Sequence, residues 1–266
     1  MSDGTAVIYV YDGSFDGLMC CVGESLRRGE RPEDIILPAD LQETLFPTVV
    51  IGTDIGLSKK TTSLIRERIG ARTLAFIKRV YLTRMERRET AILDFILKSF
   101  AQGKSLLGDM VSEQVLPMIK AVRHLNNEAE LLKGFIRFSD MDGVLVSVIK
   151  PENQVLPLLA RHFCDRFPDS RILIYDEGRG EVLLCGEGKS SIGYIDDFKL
   201  PRLSAEEKNY RALWQSFYET AAIKERYNPK CRSGHMPKRY WAYMTEFCRR
   251  ERYVPQSELT EPSDSA

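Results

Sequence analysis

Residues 134–187 carry two β-hairpin signatures on either side of one helical stretch, and this order constrains the fold more than any other feature. GFIRFSD and VLVSVIK flank Met141–Asp142–Gly143, and Asp-Gly between β-branched runs is a strong turn signal. RILIY and EVLLCG flank DEGRG in the same way. Between the hairpins, Pro151–Phe167 repeats apolar residues at helical spacing. The order β-β-α-β-β predicts an antiparallel sheet covered on one face by a helix, and an α+β fold class.

The chain before this unit reads differently. Ala6–Tyr11 (AVIYVY) is a buried-strand pattern, followed by the turn DGSFDG and the helical LMCCVGESLRR. Asp12 or Ser14 would cap that helix, and Asp16 suits its positive end. Asp12, Ser14, Asp16 and Gly17 mimic the opening of a calcium loop. The bidentate glutamate such a loop needs would fall at Gly23, so calcium is discounted. Carboxylates in the turn also argue against a phosphate cradle. Glu33–Leu37 and Thr48–Gly52 are further strand candidates. Ser58–Ile69, Ala71–Thr83, Arg87–Ala101 and Ser112–Leu132 read as the helices of a helical subdomain.

After the sheet unit, Ser204–Ile223 is an amphipathic helix pattern. Ser204 and Glu207 form a capping box, and Leu213, Trp214, Phe217 and Tyr218 form the apolar side. NPKCRSGHMPK reads as a loop, and Pro237 opens a final helix running to about Arg249. The tail is polar, with a composition that favours disorder. The predicted organisation is a strand-turn-helix segment over 1–57, a helical subdomain over 58–133, a sheet unit with basic helices over 134–252, and a disordered tail over 253–266. The second and third of these also read as one domain with the first.

Formal net charge is zero, so partners must be argued from where the charges sit. Residues 1–57 are acidic and 58–88 basic. A second basic region runs through ERYNPKCRSGHMPKRYWAYMTE, where Lys224, Arg226, Lys230, Arg232, Lys238 and Arg239 alternate with Tyr227, Tyr240, Trp241 and Tyr243. Cations interleaved with rings suit phosphate pairing and stacking on bases. Arg226, Lys230, Arg232, Lys238 and Arg239 are the candidate phosphate contacts, and Tyr240 and Trp241 the candidate stacking rings. The competing reading puts the cations on a solvated surface. It also makes Trp241, Met244 and Phe247 a core stripe at helical spacing.

No reaction signature stands out. Gly188–Ser190 (GKS) is not a P-loop, because the required upstream glycine position holds Leu183. There is no GxGxxG, CxxC or HExxH, and no cofactor or metal is expected. Cys231 and His235 have chelating spacing and Cys248 lies near in sequence, but a second close pair is missing. Asp12, Asp16, Asp176 and Glu246 are the carboxylate candidates for catalysis. His162 is the candidate base, although a helical position beside Phe163 reads more simply as a boundary histidine. Six cysteines in 266 residues do not make a disulfide scaffold. No apolar run approaches the ~20 residues that span a bilayer, and the start lacks a signal-peptide pattern. A cytoplasmic protein without a membrane partner is expected.

Three stretches, YDGSFDGLMCCVGES, RFSDMDGVLVSVIKPENQVLPLLARHFCDRF and ERYNPKCRSGHMPKRYWAYMTEF, together resemble a bacterial family assigned to DNA metabolism or DNA repair. The C-terminal part of that family is a domain of unknown function. In related longer proteins it is fused to a uracil-DNA-glycosylase-like domain, and the family is associated with a radical-SAM protein. The resemblance implies DNA as a partner, with a radical-SAM protein and a glycosylase-like protein as protein partners. It also implies an accessory role, because this chain resembles the stand-alone form and lacks CxxxCxxC. A DNA-processing enzyme in its own right, using carboxylates as general bases, and a protein-binding scaffold are the alternatives.

Overall fold

The computed structural model describes residues 6–41, 46–103, 105–108, 113, 115–195, 198–200, 203–223, 226 and 228–247. The chain divides into two compact units, Met1–Leu125 and Asn126–Ala266. Lys224, Tyr227, Cys248, Arg249 and the tail expected to be disordered lie outside the described residues.

The first unit runs β1 (Ile8–Val10), α1 (Phe15–Arg28), β2 (Asp34–Ile36), β3 (Thr48–Val50), α2 (Ile55–Ile69), α3 (Ala71–Tyr81) and α4 (Arg88–Ala101). Its sheet has the order β2-β1-β3, and both pairings are parallel. The central strand is buried throughout, which suits its unbroken apolar sequence. Tyr9, Tyr11, Leu18, Ile65, Ile77, Ile92 and Phe95 belong to one core, so strand-turn-helix segment and helices share a single interior. Cys20 and Cys21 are buried in it.

The DGSFDG turn is a capping device. Ser14 is the N-cap of α1 and accepts from the Gly17 amide at 2.9 Å. Asp12 accepts from the Ser14 amide (2.9 Å), the Ser14 hydroxyl (2.7 Å) and the Thr53 hydroxyl (2.8 Å). Asp16, in the first turn, accepts from Ser58 on α2. Gly29, at positive φ, ends α1.

Helix α5 (Val115–Phe135) contains the division between the units. The second unit continues with β4 (Ser139–Met141), β5 (Val144–Ile149), α6 (Leu156–Arg166), β6 (Arg171–Asp176), β7 (Glu181–Gly186) and β8 (Lys189–Tyr194). Helices α7 (Ala205–Thr220) and α8 (Pro229–His235) follow, then a 3-10 turn over Lys238–Tyr243. The sheet order is β4-β5-β6-β7-β8. Helix α6 packs across β6, β7 and β8 and buries Leu156, Leu159 and Phe163.

Mixed α+β architecture and both expected hairpins are present, and three local expectations are corrected. First, the sheet is mixed. β5 and β6 pair parallel, in the register Val146 to Leu173, because α6 is a crossover connection rather than a lid between two hairpins. Second, GKS sits at the β7–β8 hairpin. Glu187 and Gly188 form its turn at φ 52° and 70°, like Asp142 and Gly143 at 52° and 81°. The polar strand β8 that follows is a fifth strand. Third, the stretch read as a loop holds α8, capped by Asn228, which accepts from the Cys231 amide. The helix expected from Pro237 is the 3-10 turn.

Gly17 tests the turn of the first unit. Alanine there gains about 1 kcal/mol of helix propensity. Its Cβ would lie 2.2 Å from Asp12 Oδ1 and would displace the carboxylate from its three donors. Gly17→Ala is expected to lose about 1 kcal/mol net, read as a lower urea midpoint at unchanged m-value.

Candidate functional site

The turn after β5 brings the polar groups of the second unit together. Glu128 on α5 is only 1 % exposed, and besides Arg239 its carboxylate accepts from four groups. These are the amides of Glu152 (2.9 Å) and Asn153 (2.8 Å), the Asn153 side-chain amide (2.7 Å) and the Tyr240 hydroxyl (3.1 Å). Arg239 pairs with Glu152 at 2.6 Å and with Glu128 at 3.4 Å, and donates to the Tyr240 hydroxyl at 2.7 Å. Burial and the Glu128 charge push the Tyr240 phenol up to about 12.

Across the same turn, Arg179 donates to the carbonyls of Pro151 and Glu152 and pairs with Asp176 at 2.9 Å. Asp176 is fully buried and faces Glu181 in the β6–β7 register. Burial raises the Asp176 pKa, and the Arg179 charge only partly offsets this. Glu181 is 2 % exposed. Its Oε1 accepts from Gln154 and from Tyr194 (3.1 Å), while Oε2 has no hydrogen-bond partner among the described residues. Burial raises the Glu181 pKa too, with Asp176 adding to it. Two buried carboxyls with raised pKa values, one holding a vacant acceptor, form an arrangement suited to proton transfer.

The other carboxylate candidates do structural work. Asp12 is held below the usual aspartate value: burial opposes this, but the bonds from Ser14 and Thr53 outweigh it. That makes it a weak base. Asp16 bridges α1 to α2 through Ser58. Glu246 accepts a bidentate pair from Arg137 (2.7 and 3.2 Å) and a bond from Trp214 Nε1 at 3.2 Å. His162 meets Phe163 edge-on, ring centres 4.9 Å apart. Among the described residues, no hydrogen bond or ion pair joins Asp176, His162 and Glu246 to one another.

The basic segment sorts into committed and open cations. Tyr240, expected as a stacking ring, is buried against Phe135 and offers no free face. Arg239, expected on phosphate, is tied to the Glu128 turn. The Arg232 guanidinium lies over Trp241 (4.9 Å) and Phe247 (5.5 Å), and those two rings stack at 4.6 Å. Arg226, Lys230 and Lys238 are exposed, with no acidic partner among the described residues. Lys238 lies 5.9 Å from the Trp241 ring centre. Cys231 Sγ and His235 Nδ1 are 3.8 Å apart, and no metal-binding group of three or more His, Cys, Asp or Glu occurs among the described residues.

The sequence reading missed a cleft of about 470 Å³ lined by Arg137, Phe138, Glu207, Tyr210, Arg211, Trp214 and Thr245. Tyr210 and Trp214 stand one turn apart on α7 and are 60 % and 41 % exposed. The signal was present in the helical spacing of Trp214, Phe217 and Tyr218, which the sequence alone reads as the apolar side of α7. Glu128 and Glu181 carried no local signal.

A family model described as a domain of unknown function, DUF4130, matches residues 86–246, and the chain belongs to that family. The matched span includes every residue of the turn cluster and of the cleft. No curated protein and no solved structure matches the chain. No helix among the described residues is long and apolar enough to cross a membrane.

Glu181 gives a pH test. A carboxyl whose folded pKa is raised favours the folded state below its ordinary value, and this support is lost as pH rises through the folded pKa. Glu181→Gln should therefore match the wild type near pH ~4 and become the more stable protein towards pH ~8, by about 1 kcal/mol. Urea unfolding across that range checks it, and parallel curves would show that Glu181 ionises without cost.

Proposed function

We propose that the chain is a nucleic-acid-binding accessory protein of DNA metabolism, with the second unit contacting the strand. One observation carries this reading. Arg226, Lys230 and Lys238 are exposed and have no acidic partner among the described residues, on the segment where Trp241 and Phe247 stack. Open cations beside flat rings suit a phosphate backbone with unpaired bases. The resemblance to DNA-metabolism proteins supports the same partner class.

A second reading, a DNA-processing enzyme in its own right, is favoured by the Asp176–Glu181 pair alone. Its test is a screen for base release or strand cleavage on uracil-containing, alkylated and abasic oligonucleotides, with and without divalent metal. Turnover abolished by Asp176→Asn would support it, and silence on every substrate would count against it.

For the accessory reading, replacing Arg226, Lys230 and Lys238 together by Ala should weaken oligonucleotide binding. It should also make the slope of log K against log salt shallower by about 2, at about 0.7 per phosphate contact on a single strand. An unchanged slope would remove this segment from the interface.

A further inference from the structure

The α7 cleft differs in chemistry from the basic segment beside it. Its two guanidiniums are already matched by carboxylates. Arg137 is held by Glu246, and Arg211 is held by Glu207 at 3.0 Å and donates to Ser139. The cleft is therefore close to neutral, and a phosphate would have to displace a carboxylate to reach either arginine. A flat, uncharged ring bearing donors and acceptors on its edge would not.

We propose that this cleft takes an unstacked nucleobase of single-stranded nucleic acid, with Tyr210 and Trp214 on its faces and Arg137 and Arg211 at its edge. This deepens the nucleic-acid reading above and rests on it. Aromatic rings hold bases by stacking, whatever the base, because every base has a π-face. The volume suits a small ligand. The walls are set in advance. Trp214 Nε1 donates to Glu246, and Gln215 on α7 donates to the Thr245 carbonyl at 2.8 Å, so the Trp214 ring and the α7 backbone beneath it have little freedom left to lose on binding.

Continuity with the cations favours a nucleic acid over a protein segment as the occupant. Glu246, which anchors Arg137 and Trp214, is followed directly by Phe247. Phe247 stacks on Trp241, and Lys238 lies over that ring. Tyr218 of α7 meets Phe247 edge-on at 5.4 Å, which closes the path from α7 to the basic segment. A strand with its phosphates at Lys238 has an aromatic cleft within the same packed group. A duplex, with its bases already paired and stacked, would gain nothing from it.

The experiment compares the full chain with Tyr210→Ala, Trp214→Ala and Tyr210→Phe, each confirmed by an unchanged melting temperature. The probes are a single strand, the corresponding duplex, and the same strand with abasic residues in place of its bases. The wild type should prefer the base-bearing single strand to the abasic one. Tyr210→Ala and Trp214→Ala should each lower single-strand affinity roughly tenfold with the salt slope unchanged, and Tyr210→Phe should retain it. If the wild type binds base-bearing and abasic strands alike and the Ala variants match it, the cleft assignment is overturned while the basic segment still stands. If the wild type binds no oligonucleotide at low salt, both readings fail. Stronger binding to the duplex would also overturn the cleft assignment.

Discussion

The second unit depends on the carboxylate of Glu128. A buried carboxylate is costly unless donors surround it, and Glu128 is met by two backbone amides, a side-chain amide, a phenol and a guanidinium. The two amides belong to the turn leaving β5, so the carboxylate does for that turn what a cap does for a helix. Arg179 holds the same turn from the other side, through the carbonyls of Pro151 and Glu152. Between them these two charges fix the path from β5 into α6. That path makes α6 a crossover and places β6 parallel to β5.

The same network decides which charges remain available outside. Arg239 is spent on Glu128 and Glu152, and it fixes Tyr240 beside it. The 3-10 turn that carries Tyr240 also carries Lys238 and Trp241; with Tyr240 held inside, Lys238 is exposed and Trp241 is half-buried against Phe247. A stretch that reads as an even alternation of cations and rings is therefore uneven in space. Part of it is internal clamp, and part is open surface. Zero net charge over the chain conceals this division, because the acidic residues are distributed as partners for particular arginines.

Legibility in the sequence followed locality. The two hairpins, the Ser204 cap with its Glu207 amide at 3.1 Å, and the helices from α2 to α4 were readable because each rests on neighbours within a few residues. Pairing of β5 with β6 was missed because both hairpins were read as self-contained, although a helix between two strands of one sheet is itself a crossover signal. Strand β8 was missed because KSSIGY is polar and glycine-bearing, as an exposed edge strand tends to be. Nothing near Glu128 in sequence announces the residues it binds, which lie 24 to 112 positions away. Leu213, Trp214, Phe217 and Tyr218 read as one apolar side of α7, but their helical spacing could not say whether anything covers it, and Leu213 and Phe217 are exposed.

Access separates the two chemistries of this unit. A general acid or base must come within hydrogen-bonding distance of the atom it serves. Asp176 is fully buried, with its oxygens engaged by the Gly178 amide and by Arg179. Glu181 has one oxygen without a hydrogen-bond partner among the described residues, and its other oxygen accepts from Gln154 and from Tyr194, which is 74 % exposed. A substrate would have to reach two carboxyls that are 0 % and 2 % exposed. The α7 cleft has no such barrier, because its rings are already exposed and its arginines already held. Binding at the cleft, as proposed, asks for no rearrangement of the groups that line it. Chemistry at the acid pair would first need both carboxyls to be exposed.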